Sequence, residues 1–468
     1  MKILLFGTGK IYQAYKQWFD HYEITYLLDN DISKQGKHLD DIVILSPSMG
    51  VNTDYDAIFI LSTYTNEMKK QLVSLGVNED KIFYYYDIRT GMNKDVMFYG
   101  DKKSLSVRTK TKSKNKRILL ITHNLETTGA EVVLLDAAKI LKKNGYDVIV
   151  ATQEDGPMRQ SFVDEGILVI IDTGTGVFHL TSIEWINKLN PNIVLVNTIF
   201  MHHLFKCGAI SIPVIWWLHD SEALYQWTQC ECLNRYYHNN IHVYAVSTLA
   251  KEPFVARCPN WPIKLLPYGI RDINEPGFSN YNLDSDKLVF ATIGAIAERK
   301  GQNVLFEAIR LLPNEERNRC EFWLIYQPII ASDYADAILE MSASIPEVKM
   351  IGQIAHEKMG EIYKKISALI CPSTSDTLPT VTVEAMQSYC PCIVSDGTGT
   401  ARYIENFKNG FVFINGDANA LTEKILWIIH NKNKLPVMGK EARKTYEKNF
   451  SMEIFETNLM KAVKEAEI

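Results

Sequence analysis

The chain has 468 residues, 46% hydrophobic and 22% charged. That is the balance of an ordinary globular protein of about three domains, which excludes a mostly disordered chain, a collagen and a small disulfide-stapled domain. Fifty basic against 55 acidic residues leave a formal net charge of −5, so no global basic field points to nucleic acid and no such partner is expected.

The first block, 1–100, opens with a strand over Lys2–Phe6, a glycine turn, a helix, and a second strand over Ile24–Leu28. A third strand is expected at Ala57–Leu61. Strands alternating with helical periodicity imply βαβ units and a parallel sheet, so this block reads as a small Rossmann-like domain. Gly7 and Gly9 interrupt the apolar start too early for a secretory signal, and no apolar run reaches the roughly 18 residues of a membrane helix. Residues 101–116 carry seven Lys/Arg against one Asp, with almost nothing to bury. They read as a solvated linker; a basic stripe over 102–117 touching an anionic lipid surface is the sharper option.

At Arg117 the pattern restarts, with a strand over Arg117–Thr122 and a helix from about Ala130 to Asn144. Strands follow at Asp147–Ala151, Leu168–Asp172, Ile193–Asn197 and Val214–Leu218. A third restart comes at Lys287–Ile293, with a helix over Gln302–Leu312 and strands at Glu321–Tyr326, Ala368–Cys371 and Pro391–Ser395. Residues 117–270 and 271–450 thus form two similar α/β halves, closed by a helix over 451–468. None of the eight cysteines lies before Cys207. Cys230/Cys232 and Cys390/Cys392 are C-x-C pairs and lack zinc-site spacing, so free thiols in a reducing, cytoplasmic setting are expected.

The chemistry concentrates in Cys371–Asp396, CPSTSDTLPTVTVEAMQSYCPCIVSD. A strand ends, a polar loop holds Asp376, and Pro379–Thr380 opens a helix with Glu384 one turn inside it. A helix N-terminus offers amide donors to an anion, whereas a carboxylate beside it repels one unless hydroxyls occupy it. Diphosphate on the helix end and sugar or ribose hydroxyls on the acids satisfy both, which suits a nucleotide-sugar. The loop IGAIAERKG, Ile293–Gly301, adds Arg299 and Lys300, two cations able to screen a departing phosphate. LETTGAE places Gly129 at a strand-to-helix turn, and WWLHD places His219 after an apolar strand.

These residues resemble the family 4-type retaining glycosyltransferases of the GT-B fold. Asp376-Thr-Leu-Pro-Thr-Val-Thr-Val-Glu384-Ala-Met matches the signature of two acids with seven residues between them, and Pro391-Cys-Ile-Val-Ser-Asp396 its following strand. The T-G-A-E loop, the L-H-D histidine, Leu266-Pro-Tyr-Gly269 and the R-K-G loop extend the likeness over Arg117–Ile468. The resemblance implies an α/β protein with two Rossmann-like halves facing a cleft, behind the extra N-terminal domain. It implies that Glu384 holds the donor ribose, Asp376 the sugar hydroxyls, and Arg299 and Lys300 the diphosphate. It further implies a backbone contact to the phosphate or the sugar from the segment Leu378, Pro379, Thr380 and Val381, a sugar contact from His219 near the reacting carbon, and cleft positions for Gly129 and Gly294. No cofactor or metal is required; the donor is a nucleotide-sugar, a UDP-sugar in first place. The resemblance implies a glycan, lipid-linked or protein acceptor, in surface glycoconjugate assembly. Three departures bear on donor identity: Asp376 replaces the commoner Glu, Ala295 stands where an Arg often does, and Arg402 replaces an acid.

Asp29-Asn30-Asp31 and Asp284-Ser285-Asp286 mimic a metal-binding D-x-D but lie away from these motifs. Gly7-Thr8-Gly9 with Asp29 resembles a dinucleotide fingerprint whose third glycine is Tyr12, a side chain expected to crowd the site. The block therefore reads as a docking or oligomerisation unit, with nucleotide binding as the lesser option. Three rival readings stay open: a non-catalytic GT-B partner or chaperone of another transferase, a nucleotide-sugar epimerase, and an NAD-linked oxidoreductase centred on the first block.

Overall fold

The computed structural model describes residues 2–467 except 20–21, 63, 85–96, 101–115, 172–188, 207–211, 227, 229–236, 274–286 and 328–331, and also 356–357. The linker 101–115, the pair Cys230/Cys232, and Asp284 with Asp286 therefore lie outside the described residues.

Apolar β-rich runs build three sheets. The first comprises β1 (Lys2–Phe6), β2 (Glu23–Leu28), β3 (His38–Leu39), β4 (Ile42–Leu45), β5 (Ala57–Ile60) and β6 (Ile82–Tyr84), in spatial order β3-β4-β2-β1-β5-β6. All its pairings are parallel except β3 with β4. Alternate residues feed separate clusters, Ile3, Leu5 and Phe59 on one face and Leu4, Phe6 and Ile58 on the other. A parallel sheet needs cover on both faces, and this one has it.

The second sheet holds β7 (Met97–Tyr99), β8 (Arg117–Thr122), β9 (Asp147–Thr152), β10 (Leu168–Ile171), β11 (Ile193–Asn197), β12 (Val214–Leu218), β13 (Ile241–Ala245) and β14 (Ile263–Leu265), ordered β14-β13-β12-β11-β8-β9-β10-β7. Only β7 is antiparallel, against β10. The last strand before residue 100 thus belongs to the second sheet, and the division drawn there falls after it. Arg117 also leaves the basic stripe 102–117. It is 2% exposed and donates to Asp147 at 2.8 Å and to the Leu189 carbonyl at 2.7 Å, so it faces the interior and no lipid.

The third sheet comprises β15 (Leu288–Ile293), β16 (Cys320–Ile325), β17 (Val348–Met350), β18 (Ala368–Cys371), β19 (Cys392–Ser395) and β20 (Gly410–Phe413), all parallel and ordered β17-β16-β15-β18-β19-β20. One apolar cluster runs from the second sheet through Tyr363, Leu378 and Val383 to Phe455, so the two halves share a core. The last helix, Met452–Ala466, returns to the second sheet. Phe455 stacks on Trp217 with centroids 5.6 Å apart, and Glu465 accepts from Tyr244 at 2.9 Å and Lys264 at 2.7 Å.

With the antiparallel β3 and β7 set aside and the parallel strands counted in chain order within each sheet, all three carry the sequence 3-2-1-4-5. In such sheets the crossovers before and after strand 1 leave on opposite sides, and a crevice opens between the loops that follow strands 1 and 4.

Candidate active site

In the third sheet that crevice lies between the loop after β15 and the loop after β18. Gly294 sits at φ +147 and donates to the Ile325 carbonyl at 3.0 Å. The chain then makes a 3-10 turn over Glu298–Lys300 and enters the helix Gln302–Leu311 through Gly301 at φ +65. A Cβ on Gly301 would lie 2.1 Å from the Pro372 carbonyl oxygen. Only glycine permits both that left-handed turn and the close approach of the two loops. Thr374 completes the brace, donating through its amide to the Arg299 carbonyl at 2.8 Å.

The brace puts Lys300 Nζ 2.5 Å and Arg299 Nη1 3.9 Å from Asp376 Oδ2. Lys300 and Asp376 are 17% and 14% exposed, Arg299 56%, so the lysine is the buried partner and the arginine a solvated neighbour. The backbone of Asp376 is pinned on both sides: its amide donates to Gly397 at 3.0 Å and its carbonyl accepts from Gly399 at 2.8 Å. The segment Gly397–Arg402 is thus a strut. Arg402 reaches out of it to Thr248 Oγ1, 3.1 Å away, across to the other half.

Eight residues form the helix Thr380–Gln387. Pro379 at its N-cap supplies no side-chain acceptor, leaving first-turn amides unpaired by any cap. Leu378 and Pro379 are buried, Thr380 and Val381 half-buried. Glu384 is 6% exposed and accepts from Tyr363 Oη at 2.8 Å. Burial, then the neighbouring Glu384 charge, push the Tyr363 phenol well above its ordinary range, so it remains a donor.

The second half faces this wall. Thr377 Oγ1 donates to the His219 carbonyl at 2.7 Å, and Tyr268 Oη donates to the Leu378 carbonyl. The His219 ring packs edge-on to Trp217 at 4.6 Å and parallel to Tyr268 at 6.3 Å. Its Nε2 is buried with no partner among the described residues. Burial pushes its pKa down to about 3, which keeps the ring neutral. Beside it Asp220, 3% exposed, accepts from the Ile199 amide at 2.6 Å, and burial raises its pKa to about 7. Gly129 opens the helix Gly129–Lys143 after β8; a Cβ there would meet nothing within 4 Å. Two residues on, Glu131 is fully buried, accepts from Thr128 and Thr122, and is raised by burial.

Of the residues singled out in the sequence, the structure brings Gly294, Arg299, Lys300, Asp376, Leu378, Pro379, Thr380, Val381 and Glu384 to one end of the third sheet. His219 joins them through its main chain. Gly129 stands at the matching end of the second sheet, at the start of the helix that follows β8. Tyr363, Tyr268, Thr377 and Asp220 escaped the sequence reading. Tyr268 and Asp220 stand inside motifs already noticed, whereas Tyr363 lies in an ordinary amphipathic stretch and carries no local signal.

Two Rossmann-type halves with a cation–carboxylate pair on one wall and a buried histidine on the other define a GT-B glycosyltransferase. Residues 275–445 match the family described as glycosyl transferases group 1, residues 114–258 that of glycosyl-transferase family 4, and residues 1–83 the C2185-like N-terminal family. The chain belongs to the family 4-type glycosyltransferases. An uncharacterized glycosyltransferase of Methanocaldococcus jannaschii is 25% identical over 284 residues, 57% of this chain and 75% of that one. The capsular polysaccharide biosynthesis glycosyltransferase CapM of Staphylococcus aureus is 23% identical over 230 residues, 46% of this chain and 56% of its own length. Anabaena HepE, solved in complex with UDP and glucose, superimposes with a TM-score of 0.60 at 18% identity, over 75% of this chain and all of HepE. Among the described residues no helix is long and apolar enough to cross a membrane.

Proposed function

We propose that this chain is a retaining transferase that moves a sugar from a UDP-sugar to a growing glycan, glycolipid or glycoprotein of surface polysaccharide. One observation carries the reading. The Lys300–Asp376 pair stands at the crevice of the third sheet, beside an uncapped helix whose own acid, Glu384, is buried one turn inside. UDP in the HepE complex and the capsular role in the CapM name support the donor and acceptor classes.

In this reading the diphosphate lies on the amides of Leu378, Thr380 and Val381, on either side of Pro379, and draws Lys300 from Asp376, with Arg299 as outer counter-charge. Asp376 then accepts the sugar hydroxyls, and Glu384 a ribose hydroxyl. Neutral His219 faces the sugar from the opposite wall, and the small Gly294 and Gly129 leave room for the donor. The anomeric C–O bond breaks with its electron pair on the phosphate. The acceptor oxygen bonds the same face, and its proton passes to the leaving phosphate oxygen. Such chemistry asks for fixed charge and alignment more than for a protein base.

The test is a melting-temperature screen of the purified chain with UDP-, GDP-, TDP- and ADP-sugars, followed by radiolabelled donor. A ligand of the folded state raises the melting point. A UDP-sugar is expected to do so, to be slowly hydrolysed with its anomeric configuration kept, and to lose hydrolysis in Glu384→Ala. No shift and no hydrolysis with any donor would sink the transferase reading. An inverted product would sink retention alone, and return of an epimer without transfer would point to an epimerase.

A further inference from the structure

The first sheet repeats the strand order of the other two, and its crevice is hollow. A cavity of about 540 Å³ lies between the loop after β1 and the loop after β5, at the end of β2. That volume falls within the roughly 300–1,000 Å³ of small-molecule sites. Its walls combine two chemistries. Asp29 Oδ2 accepts from the Thr8 amide at 3.1 Å, from Lys34 Nζ at 3.0 Å and from the Thr8 hydroxyl. This acid–cation pair, 13% and 39% exposed, stands at the end of β2, beside the crevice, whereas Lys300 and Asp376 stand on the two loops that bound theirs. Opposite it, Leu61 and Met68 offer buried apolar surface, and Tyr64 stands 69% exposed at the rim.

Two details show that the space is kept open. Gly9 lines the cavity with φ −87, a conformation any residue adopts. A Cβ there would meet nothing within 4 Å, so the missing side chain leaves volume for something else. Tyr12, expected to crowd the site, does not reach it. It is 1% exposed in the cluster with Ile3, Leu5 and Phe59, and its hydroxyl donates to Asp40 at 2.9 Å.

We propose that this cavity binds a nucleoside diphosphate group, so that the chain carries a second nucleotide site besides the donor site. The open backbone at Gly9 lets the diphosphate approach with Lys34 as its counter-charge. Asp29, released from Lys34 by that exchange, accepts ribose hydroxyls, and the base lies toward Met68 and Tyr64. The group arrives on a nucleotide-sugar or its nucleotide product, or on a redox dinucleotide.

Equilibrium dialysis of the full chain carrying Lys300→Ala and Glu384→Ala, which disable the donor site, tests this with UDP, UDP-glucose and NAD. One equivalent of at least one probe is expected to bind saturably, with Kd below about 1 mM. Adding Gly9→Leu, which fills the cavity, should weaken it at least about tenfold, and Lys34→Ala about threefold or more. UDP or UDP-glucose in preference to NAD would assign the site to the transferase's own nucleotide; the reverse would assign it to a dinucleotide. No saturable binding of any probe, or binding that neither Gly9→Leu nor Lys34→Ala weakens in a chain with an unchanged melting temperature, overturns the proposal.

Discussion

The two walls of the cleft handle burial of charge in opposite ways. On the third sheet each acid has a donor: Asp376 has Lys300 and Glu384 has Tyr363. On the second sheet the groups nearest the cleft, His219, Asp220 and, directly after β8, His123 at 3.7 Å from Glu131, are shifted chiefly by desolvation. His219 is driven down to about 3 and His123 to about 4, while Asp220 is driven up to about 7, each chiefly by burial. One strand order therefore supports a wall of fixed charge and a wall of largely neutral polar groups. An anionic donor needs the first kind, and a hydroxyl acceptor tolerates the second.

The contrast is broken most severely at Lys300. Lys300→Ala leaves a mostly buried Asp376 carboxylate without its partner and removes the phosphate's inner cation. Steady-state kinetics should show kcat reduced about 10²–10³-fold, the usual scale for one lost electrostatic contact in a preorganised site. Arg299→Ala should cost about tenfold or less, because its 56% exposure lets solvent screen the charge. Equal losses would mean that the sequence neighbours share one role.

Tyr363→Phe sharpens the same wall more gently. It keeps the ring and removes the hydroxyl that donates to Glu384. One such bond to a charged group is worth about 1.5 kcal/mol, so KM for the donor should rise about tenfold with kcat nearly unchanged. A donor lacking both ribose hydroxyls, one of which is assigned to Glu384, should be affected less. A purely structural fault would weaken both donors alike.

The opposite wall should answer to pH. Asp220 binds its proton more tightly folded than unfolded, so its stabilising contribution is complete below about pH 4 and is lost as pH rises through about 7. His219 and His123 run the other way: their contribution is present above about pH 6.5 and is lost as pH falls toward 4 and below. Between about pH 4 and 6.5 the slopes oppose. Asp220→Asn, which can still accept from Ile199, should leave the histidine slope alone. Its urea-unfolding free energy should climb with pH more steeply than the wild type's over that interval, and stay flatter between about 6.5 and 7.5.

Much of this was legible in the sequence because local rules sufficed. Strands such as Lys2–Phe6, Arg117–Thr122 and Val214–Leu218 are short apolar runs bounded by turn residues, and the structure has the same bounds. Asp376 and Glu384 were visible because one loop and one helix hold both. What stayed hidden depends on distant partners. Met97–Tyr99 pairs in register with Val169–Ile171, about 70 residues on. Tyr363 reaches Glu384 from another element, and Tyr12 could be cleared of the first crevice only once its ring was seen buried beneath it.

The return of the last helix sets an order on biosynthesis. Trp217 is synthesised more than 200 residues before Phe455, the ring that stacks on it. Until then the outer face of the second sheet keeps an aromatic surface bare. Nascent or prematurely terminated chains therefore carry a sticky patch that the finished enzyme hides, and the segment that completes the cleft's second half is also the one that releases the chain from that hazard.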